Sequence, residues 1–177
     1  MHVVMYNRKV YFFADTTINV NPDAETLAQI AISAADTVKE FDIDPKIAML
    51  SFSNFGSSKH AETIKIKKAA KIVNDLRSDL IVDGEMRLDS AVNTEIAKER
   101  FPFSYIKGDA NVLIFPDLNS GNIAYKLMKN LTNATVIGPV LMGMKKPIHV
   151  LPRESTVEDI INLTAIAVVD AINSPAK

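Results

Sequence analysis

The sequence has 177 residues, of which 47% are hydrophobic and 23% are charged, and its formal net charge is −1. We expect residues 1–177 to bury the core of a single α/β domain, and the near-zero charge argues against nucleic-acid binding. Because cysteine is absent, a disulfide framework and thiolate catalysis are excluded, and a reducing compartment, the cytoplasm, is expected. No apolar run approaches the roughly 20 residues of a membrane span, so we expect no membrane partner.

The first 45 residues predict a hairpin followed by a helix. Residues 3–6 and 9–13 are β-rich runs with a two-residue turn between them. Asn21 and Pro22 then form a helix start signal, because asparagine caps a first turn and proline fits the first helical position. Apolar residues follow at helical spacing, and this helix should end before Pro45.

After this helix the chain repeats one order of elements three times: a short apolar run, a polar loop and an amphipathic stretch. The apolar runs are continuous rather than alternating, which is typical of strands covered on both faces by crossover helices. The sequence therefore predicts a three-layer α/β/α fold with a mostly parallel sheet. The strand and loop pairs are residues 47–52 with 53–58, 80–82 with 83–84, and 111–115 with 116–122.

The last third of the chain predicts two more strands and a terminal helix. The strands, residues 135–137 and 148–151, flank a stretch rich in glycine and proline. Ser155 and Glu158 form a capping box that should start the helix. This helix, residues 155–177, is apolar on nearly every face, so we expect part of its surface to pack on another domain or on a partner subunit.

The polar loops are the first candidates for a binding site. Loops that follow parallel strands meet at the carboxyl edge of the sheet, where ligands of such folds bind. Residues 53–58 supply hydroxyls, an amide and a glycine before a helix N-terminus, which suits a phosphate or a carboxylate. Residues 116–122 have a similar composition. Ordinary turn chemistry is the alternative explanation for both loops.

Four charged residues are further candidates, each with a simpler explanation. Asp83 and Glu85 flank a glycine and would serve as an acid/base or metal pair, or as solvated turn residues. Arg153 offers a fixed fork for a phosphate or carboxylate. Asp159 lies in the first turn of the last helix, where a carboxylate also stabilises the helix dipole. The histidines lack metal-ligand spacing, and no metal site is predicted.

Several segments carry a resemblance to a known family. They resemble the phosphate acetyltransferases and butyryltransferases, and more closely the C-terminal module of multidomain NADP-dependent malic enzymes. That family folds as two α/β domains with a cleft between them, as in isocitrate and isopropylmalate dehydrogenases, and this chain resembles the second half. The segments are residues 48–57, 82–85, 110–118 and 121–122 for the family, and 51–55, 142–147 with His149, and 163–171 for the malic-enzyme branch.

The resemblance also implies a set of site residues. In active members, a serine, the adjacent arginine and an aspartate six positions later transfer acetyl between acetyl phosphate and coenzyme A. The arginine and aspartate correspond to Arg153 and Asp159, but Pro152 stands at the position of the serine and has neither a hydroxyl nor a backbone N–H. The ligand-binding residues implied besides Arg153 are Ser53, Asn54, Gly56, Ser57, Asn119, Ser120 and Asn122.

Three functions follow from this resemblance. The first is a regulatory domain that senses acetyl-CoA or acetyl phosphate in an NADP-dependent malic enzyme, which converts malate to pyruvate, without transferase activity of its own. The second is an active phosphate acetyltransferase, and the third is an oligomerisation scaffold. The implied partners are the malic-enzyme dehydrogenase domain, the first half of the module and further copies in a dimer or larger oligomer. NADP and a divalent metal would bind only in the dehydrogenase domain, with no cofactor in this chain.

Overall fold

The computed structural model describes residues 1–173, so the last four residues of the predicted terminal helix lie outside the described part. Six strands and six helices make up the described residues. In chain order they are β1 (His2–Tyr6), β2 (Lys9–Ala14), α1 (Ala24–Lys39), β3 (Lys46–Leu50), α2 (Ala61–Leu76), β4 (Ile81–Met86), α3 (Leu88–Val92), α4 (Thr94–Arg100), β5 (Val112–Ile114), α5 (Leu118–Leu131), β6 (Thr135–Ile137) and α6 (Val157–Asn173).

The strands form one mixed sheet in the order β4-β3-β5-β2-β1-β6. β4, β3, β5 and β2 run parallel to one another, whereas β1 is antiparallel to both of its neighbours. The predicted hairpin is confirmed, with His2 opposite Phe13 and a turn at Asn7 and Arg8 in which φ is 49° and 62°. The prediction of a mostly parallel sheet is also confirmed.

Helices cover both faces of the sheet and give the three layers that the continuous apolar runs predict. Adjacent side chains of β2 point to opposite faces, so Phe12 belongs to the buried cluster that includes Leu27 of α1 and Ile66 of α2, while Phe13 packs against Phe115 on the other face. Full burial of a side chain of this size contributes about 1.5–3 kcal/mol. Burial on both faces of the central strands therefore stabilises the sheet, which positions the residues at its carboxyl edge.

The start of α1 differs from the prediction. The N-cap is Asp23, whose carboxylate accepts a hydrogen bond from the Thr26 amide at 2.8 Å, and the helix begins at Ala24. The predicted start at Asn21 and Pro22 was therefore too early. An aspartate that reaches the third free amide of a helix satisfies a donor that no backbone carbonyl can reach.

The segment around Asp83 and Glu85 was predicted as a loop, and this was wrong. β4 continues to Met86, because Asp83 and Gly84 remain paired with Ala48 and Met49 of β3. The carboxylate of Asp83 accepts hydrogen bonds inside the fold, from Ser104 at 2.6 Å and from the amide of Ile106 at 3.2 Å. Asp83 therefore links the connection between α4 and β5 to the sheet through two hydrogen bonds.

The segment that leads to the last helix also differs from the prediction. No strand forms at residues 148–151, and the chain is irregular between β6 and α6. The reciprocal cap of α6 joins Thr156 and Asp159 instead of Ser155 and Glu158. Most apolar side chains of α6 are exposed, and only Leu163 and Ile166 are buried. Packing of α6 on another domain or subunit stays a prediction.

Candidate ligand-binding cavity at the carboxyl edge of the sheet

A cavity of about 460 Å³ lies beside α5 at the carboxyl edge of the sheet, and it is named the α5 cavity below. Its walls come from the start of β1, the loop after β2, one face of α5, β6, the segment between β6 and α6, and the first turn of α6. The lining residues are His2, Thr16, Thr17, Asn122, Tyr125, Lys126, Lys129, Asn130, Val136, Gly138, Pro139, Pro152, Glu154, Ser155 and Asp159.

The loop after β2 is held by the buried carboxylate of Asp15. This carboxylate accepts hydrogen bonds from the amides of Thr17, Ile18 and Asn19, and from the Asn19 side chain. Burial alone would raise the pKa of Asp15, but these donors outweigh burial and lower it. The loop is thereby fixed with Thr16 and Thr17 against the cavity. Sequence reasoning missed this loop, although aspartate followed by threonines and asparagine is a turn signal.

His2 enters the cavity because β1 is antiparallel to its neighbours, so the start of β1 lies beside the ends of β2 and β6. The His2 ring stacks on Tyr125 with centroids 3.9 Å apart, and its Nδ1 lies 2.8 Å from Thr16 Oγ1. Burial lowers the pKa of His2 to about 3, aided by the positive charges of the terminal amine and Lys129. The ring is therefore neutral near neutral pH.

Two lysines on α5 face two carboxylates across the cavity. Lys126 and Lys129 are one helical turn apart, and both line the cavity opposite Glu154 and Asp159. The Lys129 Nζ atom is 3.9 Å from Asp159 Oδ1. The arrangement provides cations for an anionic group and a carboxylate near it, within one concave surface.

The Asp159 carboxylate is bound to the start of its own helix. Its Oδ2 accepts hydrogen bonds from the amide and hydroxyl of Thr156 at 2.9 and 3.0 Å. The Thr156 amide, followed by the Thr156 hydroxyl and the charge of Lys129, lowers the pKa of Asp159. A carboxylate with a lowered pKa stays ionised but is a weaker base.

The loop at residues 53–58 directs its donors to a carboxylate inside the protein. Glu85 is almost completely buried, and its Oε1 accepts hydrogen bonds from the Gly56 amide at 2.6 Å and from Ser53 Oγ at 3.0 Å. Ser57 Oγ lies 2.9 Å from Ser53 Oγ, and the Asn54 side chain accepts from the Arg87 amide. The predicted anion-binding donors of Ser53 and Gly56 are thus already engaged by Glu85.

Comparison with known proteins gives the family of the chain. Residues 1–168 match the family described as "Phosphate acetyl/butaryl transferase". The chain belongs to this family. A phosphotransacetylase from Streptococcus pyogenes has a similar structure, with a TM-score of 0.92 and 44% sequence identity over 98% of this chain and 53% of that one.

Two curated relatives represent two kinds of family member. The phosphate acetyltransferase of Bacillus subtilis is 46% identical over 92% of this chain, which covers 50% of the relative. The NADP-dependent malic enzyme of Escherichia coli is 43% identical over 93% of this chain, which covers 22% of that protein. The chain thus spans half or less of the length of these relatives. The resemblance to the family, including its malic-enzyme members, is confirmed.

In this phosphotransacetylase-type domain the predicted site residues fall into separate groups. Asn122 and Asp159 line the α5 cavity together with Pro152, whereas Ser120 lines a neighbouring apolar groove between the ends of β3 and β5. Arg153 is exposed, does not line the cavity, and makes no hydrogen bond or ion pair with residues 1–173. The predicted residues that also lie outside the α5 cavity are Ser53, Asn54, Gly56, Ser57 and Asn119.

The predicted loop at residues 116–122 is largely helical, which changes how its side chains are presented. Asp117 is the N-cap of α5 and accepts from the Ser120 amide at 2.8 Å, so Asn119, Ser120 and Asn122 belong to the helix. The Asn122 side chain donates to the carbonyl oxygen of Thr16 and joins α5 to the loop after β2.

Among residues 1–173, no group of three or more His, Asp or Glu side chains is arranged to hold a metal ion. No helix in the same range has both the length and the apolar character that a membrane crossing requires.

Proposed function

We propose that the α5 cavity is one half of a cleft that binds acetyl phosphate and acetyl-CoA, and that the full-length protein transfers the acetyl group between phosphate and coenzyme A. The observation that carries this proposal is the meeting of Lys126, Lys129, Asn122 and Asp159 around one cavity at the carboxyl edge of the sheet. The family match over residues 1–168 supports the same reaction class.

Different residues of the cavity would bind the phosphoryl group and accept the thiol proton in this reaction. The lysines bind the phosphoryl oxygens, because two cations one helical turn apart match a compact dianion. Asp159 accepts the thiol proton of coenzyme A, so that the thiolate attacks the acyl carbonyl and phosphate leaves. Arg153 reaches the phosphoryl group from the segment before α6 when the other half of the cleft is present. Because Pro152 stands where active family members have a serine, acetyl transfer then depends on the charges of the two lysines, Arg153 and Asp159.

A second candidate function, ligand sensing without acetyl transfer, is favoured by two observations. Pro152 supplies neither a hydroxyl nor an N–H to the reacting group, and the Thr156 bonds make Asp159 a weak base. In this alternative the chain binds acetyl-CoA or acetyl phosphate and controls a malic-enzyme dehydrogenase domain, which holds the NADP and the divalent metal. Its partners are that domain, the first half of the module and further copies of the chain.

An acetyl-transfer assay on the full-length protein separates the two functions. Acetyl-CoA formation is followed from acetyl phosphate and coenzyme A, in the wild type and in Asp159→Asn, with Glu158→Gln as the matched control on the same helical turn. Transfer that is lost in Asp159→Asn and retained in Glu158→Gln supports the first function.

Absence of transfer in the wild type rejects the first function. The sensing alternative then requires that acetyl-CoA binds and changes the rate of malate-dependent NADPH formation. If calorimetry detects no binding of acetyl phosphate or acetyl-CoA, both functions are rejected.

A further inference from the structure

We propose that His2 contacts the ligand in the α5 cavity, where its Nε2 donates a hydrogen bond to an oxygen of the bound acyl phosphate or thioester. This inference rests on the proposed function of the cavity. It adds a residue from outside the predicted strand-to-helix loops, at the start of the antiparallel strand β1.

Three contacts hold the His2 ring in one orientation. Tyr125 stacks on one face, with an angle of 14° between the ring planes. Gly138 lies against the ring edge so closely that a Cβ atom on Gly138 would be 2.7 Å from His2 Cδ2. Thr16 Oγ1 lies 2.8 Å from Nδ1. The ring is therefore fixed by packing and by one hydrogen bond before a ligand arrives.

The proposed contact requires one direction of the hydrogen bond between Thr16 and His2. The Thr16 hydroxyl is completely buried and also lies 3.4 Å from Thr17 Oγ1. When Thr17 donates to Thr16 and Thr16 donates to His2 Nδ1, the ring proton resides on Nε2. The remaining ring donor is then directed away from Thr16, on a residue that lines the cavity.

The chemistry of the proposed ligand fits this donor. Phosphoryl and acyl oxygens only accept hydrogen bonds, so the tautomer protonated at Nε2 makes a favourable contact with them. Burial lowers the pKa of His2, which keeps the ring uncharged beside Lys129 and limits charge repulsion in the cavity. The lysines thus attract the negative charge of the ligand, while the hydrogen bond from His2 orients one of its oxygens.

The test compares two variants of His2 in the full-length protein. His2→Phe keeps a flat ring against Tyr125 and Gly138 but has no donor, whereas His2→Gln places an amide N–H near the position of Nε2. His60→Phe is the control, because His60 caps α2 outside the cavity. The dissociation constant of acetyl phosphate is measured by calorimetry, and folding is checked by the unfolding midpoint of each variant.

We expect His2→Phe to weaken acetyl phosphate binding about tenfold, the equivalent of one hydrogen bond, and His2→Gln to stay within about threefold of the wild type. Equal affinity for wild type and His2→Phe, or equal losses in both variants, would overturn the inference while leaving the proposed function intact. If the wild type binds no acetyl phosphate, the proposed function itself fails, and the inference fails with it.

A second measurement needs no variant and covers the case in which His2→Phe does not fold. Wild-type protein is treated with diethyl pyrocarbonate, which modifies accessible imidazole nitrogens, and modified peptides are quantified by mass spectrometry. Saturating acetyl phosphate should slow modification of His2 and leave His60 unchanged. Modification of His2 at the same rate with and without ligand, or no modification in either case, contradicts the proposed contact.

Discussion

The backbone amide of Gly56 donates a hydrogen bond to Glu85 Oε1 at 2.6 Å, inside the loop whose composition suggested an external anion site. Ser53 adds a second donor to the same oxygen. The other oxygen, Oε2, is buried and has no hydrogen-bond partner among residues 1–173. The carboxylate of Glu85 thus accepts from two of the donors that were predicted to bind an external phosphate or carboxylate.

Replacing Glu85 should therefore destabilise the fold. Glu85→Ala leaves the Gly56 amide and the Ser53 hydroxyl without their acceptor, and we expect a loss of about 1–3 kcal/mol in the free energy of unfolding. Glu85→Gln keeps an acceptor oxygen and should lose less. Urea unfolding measures both variants, with Glu99→Ala on the exposed surface of α4 as the control. If Glu85→Ala is as stable as Glu99→Ala, Glu85 does not organise the loop.

Gly121 should be essential for the close approach of α5 to the loop after β2. A Cβ atom on Gly121 would lie 2.1 Å from the carbonyl oxygen of Asp15, which is backbone and cannot rotate away. Alanine normally improves a helix by up to about 1 kcal/mol relative to glycine, but overpacking here costs about 1–3 kcal/mol. We expect Gly121→Ala to lower the melting temperature, whereas Ile123→Ala at an exposed site of α5 should change it little. A higher melting temperature for Gly121→Ala would contradict the packing.

His2 should make stability depend on pH. Its pKa in the folded protein is about 3, below the value of 6.5 for an unburied histidine, so the unfolded chain binds the proton more tightly. The contribution of His2 is therefore complete above pH 6.5 and is lost as the pH falls toward about 3. Thermal unfolding across this range should show a smaller decline for His2→Phe than for the wild type. Identical declines would indicate that the ring is charged in the fold.

Thr156 should control both the start of α6 and the basicity of Asp159. Removing its hydroxyl in Thr156→Val takes away a cap, which costs about 1 kcal/mol of stability, whereas Thr156→Ser keeps it. The same loss should raise the pKa of Asp159 part of the way toward its ordinary range, because the hydroxyl bond is removed while the bond from the Thr156 amide, the larger cause of the lowered pKa, remains. If acetyl transfer occurs, the acidic limb of its pH profile should move to higher pH in Thr156→Val and stay in place in Thr156→Ser. An unmoved limb would show that Asp159 is not the base.

The sequence predicted the layers of this fold because the signals for them are local. Continuous apolar runs at β3 and β5 indicated strands covered on both faces, and the structure has helices on both sides. The boundaries were less accurate, since Asp23 and Asp117 compete with neighbouring residues as N-caps and only geometry decides between them.

The site was harder to predict, because its residues come together through strand pairing that is not local in sequence. His2 reaches the carboxyl edge only because β1 is antiparallel to β2 and β6, and no periodicity reveals the order of strands. The loop at residues 53–58 has the expected composition, but the buried partner Glu85 lies some thirty residues later. Of the predicted site residues, Asn122 and Asp159 line the cavity, and their roles in binding or transfer stay predictions.

The most direct test of the central claim is the binding of acetyl phosphate to the full-length protein by calorimetry. The comparison is between the wild type, the pair Lys126→Ala with Lys129→Ala in the α5 cavity, and the pair Lys68→Ala with Lys71→Ala on the exposed surface of α2. We predict saturable binding in the wild type, a loss of at least about tenfold in the α5 pair, and unchanged affinity in the α2 pair. No binding in the wild type, or equal affinity in all three proteins, would contradict the account.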